Sequence, residues 1–92
     1  MFYYVYVLEN PESNLYIGFT NDLKKRFKEH NLGLNFSTRK HRPWFLIHYE
    51  AYRDKKDAAR REGYLKTSQG SRLLKRMLKE YFYNKRKQIN LI

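Results

Sequence analysis

Phe2-Tyr3-Tyr4-Val5-Tyr6-Val7-Leu8, followed after Glu9 to Asn14 by Leu15-Tyr16-Ile17-Gly18-Phe19, is the stretch from which the fold can be read. Both runs are rich in β-branched and aromatic residues, side chains that suit a pleated surface, so each is predicted to be a strand. Alternation along the first run puts Val5 and Val7 on one face and Tyr4, Tyr6 and Leu8 on the other. Asn10-Pro11 and Ser13-Asn14 between the runs are turn formers, which closes the two strands as a hairpin. Gly18 falls late in the second strand, where a missing side chain marks a close backbone approach or a bulge.

Beyond the hairpin the apolar period changes to that of a helix. Thr20 or Asn21 is the expected cap, with Asp22 in the first turn, where negative charge is favoured. Leu23 and Phe27, with His30 or Asn31 after them, form the buried stripe of helix one, and Lys24, Lys25 and Lys28 point outward. The helix ends near Asn31 to Gly33, and residues 32 to 43 show no period, reading as a loop with a basic end at Arg39, Lys40 and Arg42. Trp44 to Tyr52 is a third strand. Asp54, with Asp57 in the return position of a capping box, opens a second helix that runs to Lys66. Ser68-Gln69-Gly70-Ser71 reads as a break, after which Leu73, Leu74, Met77, Leu78, Tyr81 and Phe82 give the stripe of a third helix. The expectation is one α+β domain over residues 1 to 83, with a basic C-terminal tail over residues 84 to 92.

With 92 residues, 41% of them hydrophobic and 17% aromatic, the chain can bury one small core. It has no cysteine, which excludes a disulfide framework and a thiolate metal site and fits a cytoplasmic setting. No apolar run approaches the roughly 20 residues that cross a bilayer, and Met1 to Leu8 lacks the basic leading segment of a signal peptide. A soluble protein with no membrane partner is expected, and a monomer is the default. The net charge is +11, and it is unevenly placed: residues 1 to 23 hold no Lys or Arg, whereas residues 24 to 92 hold all 20 against six acids. Such an excess suits a polyanion, because neutralised phosphates release condensed counterions.

Several side chains could carry phosphodiester chemistry. Arg26 and His30 are four residues apart and share a face of helix one, so a planar donor fork for phosphate oxygens sits beside a group that titrates near neutrality. The alternative for this pair is an ordinary basic helix face with a histidine favoured by the helix dipole. On the second helix Ala58 and Ala59 precede Glu62 and Leu65 follows it, which leans the carboxylate toward the apolar face. A carboxylate so placed needs a cation: a salt bridge to Arg60, Arg61 or Lys66, or a divalent metal. Magnesium takes one or two protein carboxylates and keeps several waters, so one Glu suffices. Tyr6 and Tyr16 supply phenols, which ionise near pH 10 when free and need a neighbouring cation to act as bases.

Taken together, these residues resemble the GIY-YIG nuclease family. Tyr4-Val5-Tyr6 stands for the first motif, with Tyr4 for Gly and Val5 for Ile, and Tyr16-Ile17-Gly18 matches the second. Arg26, His30 and Glu62 fall where the family places its helix-one Arg, its His or Tyr and its metal-binding Glu. The chain looks closest to the small stand-alone bacterial domain proteins of the family, which share runs like Arg42-Pro43-Trp44 and Arg60-Arg61-Glu62. The resemblance implies a three-stranded antiparallel sheet flanked by helices, three of them main ones here, and a one-metal hydrolysis of DNA phosphodiesters in repair or processing. It implies that Tyr6 and Tyr16 orient or deprotonate the attacking water, Arg26 binds the scissile phosphate, His30 assists proton transfer and Glu62 holds one Mg²⁺ or Mn²⁺. Lys24, Lys25, Arg39, Lys40 and Arg42 are the expected nucleic-acid contacts, DNA before RNA. No added specificity domain is expected, which suits structure-selective or weakly specific cutting.

The sequence also fits two other readings. Phe19 stands where some family nucleases carry Lys, which motivates a nucleic-acid-binding module with weak or no turnover. Arg72, Lys75, Arg76 and Lys79 motivate an interaction module that meets a protein or ribosome.

Overall fold

Strand β1 (Tyr3–Glu9) is the middle of a three-stranded antiparallel sheet ordered β2-β1-β3, with β2 spanning Leu15–Thr20 and β3 spanning Phe45–Tyr52. The architecture is that of a computed structural model, which describes residues 1–90 and side chains through residue 86. The central place of β1 explains why Val5, Tyr6, Val7 and Leu8 are all buried: both of its faces are covered. Register sets the two faces. Tyr6 lies opposite Gly18 and Tyr49, and Leu8 opposite Tyr16 and Leu46, while Val5 faces Phe19 and Glu50 on the other side. Between Val7 and Leu8 the pairing skips Ile47, a bulge of one residue in β3. The predicted hairpin is present, and Asn10 holds its turn, accepting from the N–H groups of Glu12 (3.2 Å) and Asn14 (2.8 Å).

Helix α1 (Leu23–Leu32) lies on the tyrosine face, where Leu23 and Phe27 pack against Tyr6, Leu8 and Trp44. Its cap is Asp22, one residue beyond the expected Thr20 or Asn21; the Asp22 carboxylate accepts from Lys25 N–H at 3.1 Å. Thr20 is withdrawn from that role because its hydroxyl accepts from Asp22 N–H at 3.1 Å. Gly33 ends the helix in the left-handed region (φ 80°). The loop that follows contains one 3-10 turn, Arg39–His41, and a cis peptide bond at Arg42–Pro43. Trp44 anchors its far end: the indole N–H donates to Thr38 O at 2.9 Å, and Asn31 brackets the Trp44 backbone with two further bonds.

The valine face carries a polar network on β3. His48, Glu50 and Tyr52 alternate along the strand, and helix α2 (Lys55–Leu65) adds Arg61, which grips Glu50 with two bonds of 2.8 and 3.1 Å. His48 and Tyr52 complete the set at 2.9 and 2.6 Å. Burial alone would raise the Glu50 carboxyl, but bonds from Arg61, His48 and Tyr52 and the charge of Arg61 outweigh it and bring the pKa down to about 2. The unfolded carboxyl takes up its proton near 4.5, so between these values the unfolded state binds more protons and folding weakens as pH falls. At 1.36 kcal/mol per pH unit, discounted for partial exposure, about 2 kcal/mol of stability should vanish between pH 5 and pH 2. Denaturant titrations of wild type and Glu50→Gln across that window test this. The curves should converge toward low pH, and parallel curves would refute the assignment.

Two compact units are present, Met1–Glu62 and one that begins at Gly63, so α2 runs across the division. Asp54 caps α2 through Lys56 N–H (2.8 Å), but Asp57 turns to Arg60 (3.2 Å) instead of completing a capping box. In the second unit there are two helices where one was expected, α3 (Ser68–Met77) and α4 (Lys79–Asn90). The presumed break at Ser68–Ser71 is the first turn of α3: Thr67 caps it, accepting from Gly70 N–H at 3.0 Å. Gly70 is there because α3 starts against the end of α2, where a Cβ would meet Tyr64 O and sit 2.6 Å from Leu65 Cα. The helix divides instead at Leu78 (φ −106°, ψ 24°), although Leu78 O still accepts from Phe82 N–H at 3.1 Å. Residues 91 and 92, the end of the expected tail, lie outside the described residues.

Candidate active site

The site is built around the Tyr6 hydroxyl. Tyr6 projects from the central strand, and its ring crosses β2 at Gly18; a Cβ there would collide with Cζ and Oη and lie 2.8 Å from Cε1. The glycine of the Tyr16-Ile17-Gly18 run is therefore a close approach, one of the two roles its place in the strand predicts, and the group approaching it is Tyr6. Tyr16 comes from the same face of β2, with its ring centroid 6.4 Å from that of Tyr6 and 5.0 Å from that of His30. The three rings form one cluster, with Tyr16 reaching on to Trp44 at 6.3 Å. Tyr6 is wholly buried (0% exposed) and Tyr16 only partly so, so the two phenols stand at different depths.

His30 enters from the last turn of α1 and is also 0% exposed. Its Nε2 lies 2.8 Å from Tyr6 Oη and its Nδ1 lies 2.8 Å from Thr38 Oγ1, so both ring nitrogens are occupied by hydroxyls. Burial, and after it the charge of Arg26, lowers the His30 pKa, which keeps the ring neutral at neutral pH. Thr38 is the residue that the sequence does not reveal. It lies in the aperiodic loop eight positions after His30, and no spacing rule links the two.

Arg26 sits one turn before His30, with its guanidinium partly open to solvent and 3.4 Å from Glu29. It also acts on Tyr6. Burial, then Tyr16, push the Tyr6 phenol up, Arg26 opposes them by charge and by hydrogen bond, Glu62 raises it further, and the result is about 12. Tyr6 Oη and His30 Nε2 share one hydrogen bond and His30 Nδ1 and Thr38 Oγ1 share the other, so the tautomer of His30 sets the direction of both. Glu62, half-buried on α2, is within electrostatic reach of the same hydroxyl. Its orientation follows Ala58 and Leu65, both 0% exposed, whereas Ala59 is exposed and belongs to the outer face. Tyr6, Tyr16, Arg26, His30 and Glu62 are thus brought together.

The expected nucleic-acid contacts fall into two exposed groups. Lys24 and Lys25 open α1; Arg39, Lys40 and Arg42 lie in the loop beyond its C-terminus, where the Arg42 guanidinium rests over Gly33. Arg26 and His30 lie between these groups along the helix. Phe19 is on the opposite face of β2, stacked on Tyr3 with centroids 6.3 Å apart, so its side chain does not stand beside Tyr6. Among the described residues no three His, Cys, Asp or Glu side chains converge as a metal cage. A hard cation that keeps its waters and takes a single carboxylate suits Glu62; a metal that needs several protein ligands does not. Among the described residues no helix is long and apolar enough to cross a membrane.

Comparison with known proteins bears on the family and the fold. The chain matches the GIY-YIG catalytic domain over residues 2–76. It is 38% identical to a UPF0213 protein of Clostridium perfringens across 96% of this chain and 98% of that one. A UPF0213 protein of Bacillus pumilus is 41% identical across 71% of this chain and 67% of its own length. The solution NMR structure of a UPF0213 protein from Bacillus halodurans superposes with a TM-score of 0.54 at 31% identity, covering 84% of this chain and 85% of that one.

Proposed function

Because the chain belongs to the GIY-YIG family, we propose that it is a divalent-metal-dependent endonuclease that hydrolyses DNA phosphodiester bonds in repair or processing, selecting substrates by structure. The observation that carries this reading is the convergence of His30, Arg26 and Glu62 on the Tyr6 hydroxyl.

Each residue has a part that follows from its surroundings. Arg26, open to solvent at one side, offers its fork to the scissile phosphate. Tyr16 is the phenol nearer solvent and meets the attacking water. Tyr6 lies behind it, stays protonated at neutral pH, and fixes Arg26 from below. Neutral His30, in the tautomer with its proton on Nδ1 toward Thr38, accepts at Nε2 and can take a proton passed inward through Tyr6. Mg²⁺ or Mn²⁺ on Glu62 would stabilise the charge that builds on the phosphate. The two basic groups at the ends of α1 hold the strand on either side through its phosphates, which carries no sequence information and agrees with weak sequence preference.

The test is cleavage of labelled single-stranded, duplex, flap and four-way-junction DNA with Mg²⁺, Mn²⁺ or EDTA. The expected result is product from a branched or flapped form that EDTA abolishes. Retarded but uncut DNA with both metals would overturn the proposal.

A further inference from the structure

Leu32, the last residue of α1, and Leu34 and Phe36 in the loop that follows are exposed by 58, 69 and 78% within five residues. Single exposed apolar side chains are ordinary, but three together on one short segment ask for a partner. The segment is not slack: Asn35 accepts from Ser37 N–H through its side chain (2.9 Å) and from Thr38 and Arg39 N–H through its carbonyl (3.3 and 3.0 Å). The Phe36 ring stands exposed beside that brace, and the Arg39 guanidinium lies over it, 4.9 Å from the centroid. Lys40 and Arg42 follow at once, both exposed. An aromatic face presented among three cations has the chemistry that grips an unpaired nucleotide, a base on the ring and phosphates on the charges; a paired base hides both its faces in the duplex. A protein partner would ask for an apolar surface without such a ring of like charge.

We propose that Phe36, held by Asn35 and backed by Arg39, is a stacking wedge that takes an unpaired base of the DNA strand at a flap or single-strand junction. The wedge gives the nuclease reading, on which it rests, a substrate class. Thr38, two residues on, is the partner of His30 Nδ1, so the segment that grips the base also borders the hydrogen-bond chain of the site.

The experiment measures equilibrium binding, by fluorescence anisotropy in EDTA, of Glu62→Gln protein to flap and to blunt duplex DNA. Phe36→Ala in that background should weaken flap binding by about tenfold, the scale of one base–aromatic contact, and leave duplex binding unchanged. Phe36→Tyr should restore it, because a phenol stacks equally well. Arg39→Ala should weaken both and flatten the salt dependence. Phe36 is 78% exposed, so its loss does not threaten the fold. Equal losses on flap and duplex, or no loss on either, overturn the wedge. A flap preference that needs Phe36 in a protein whose wild type never cuts supports the wedge and overturns the nuclease.

Discussion

Glu62→Gln is expected to lower DNA cleavage by about 10³-fold, the loss of several kcal/mol of charge stabilisation at the phosphate. Gln keeps the shape of the side chain, and Glu62 is only half-buried, so melting temperature and DNA affinity in EDTA should stay near wild type. A second readout separates an electrostatic role from a merely structural one. The Glu62 charge raises the proton affinity of the Tyr6 hydroxyl. Removing it should move the Tyr6 ring-carbon titration to lower pH in NMR spectra recorded in EDTA. A pure variant that cleaves at the wild-type rate would remove Glu62 from the reaction.

What the sequence made legible was whatever depends on local spacing. The hairpin, the two faces of β1, the stripe of α1 and the shared face of Arg26 and His30 all follow from periods of two and 3.6, and all are present. Gly18 was legible as a close approach, though not which group approached. The failures are contests between equal local signals, settled by contacts that spacing alone does not rank. Thr20, Asn21 and Asp22 are all capping types, and the choice fell to Asp22 once Thr20 was used on the Asp22 N–H. Gly70 reads as a helix breaker by propensity, yet its lack of a side chain serves the packing of α3 on α2. Thr38 could be found only once the loop was folded back on α1. The third strand was read without its polar face of His48, Glu50 and Tyr52, whose partner Arg61 lies eleven residues past Glu50 on another element.

Gly18→Ala should cost both stability and activity, from a single methyl group. Gly18 does not use the left-handed backbone, so alanine is locally acceptable and would even favour folding by restricting the unfolded chain. Any loss must therefore come from contact. The methyl would occupy the space of the Tyr6 ring, and neither partner can retreat: the strands are fixed by the Tyr6–Gly18 pairing, and the ring is wholly buried beside Tyr16 and His30. Overpacking of this kind costs about 3 kcal/mol, and the cheapest relief is to rotate Tyr6 away from His30. The variant should then lose cleavage well beyond its unfolded fraction at temperatures where it remains folded. Adding Tyr6→Leu should recover much of the stability, because the smaller side chain clears the methyl, and none of the activity, because the hydroxyl bonded to His30 is gone. Denaturant melts of the two single variants and the double variant give the coupling energy. Additive losses would mean that the ring and the methyl do not meet, and a fully active Gly18→Ala protein would show that the Tyr6–His30 bond is not needed for cutting.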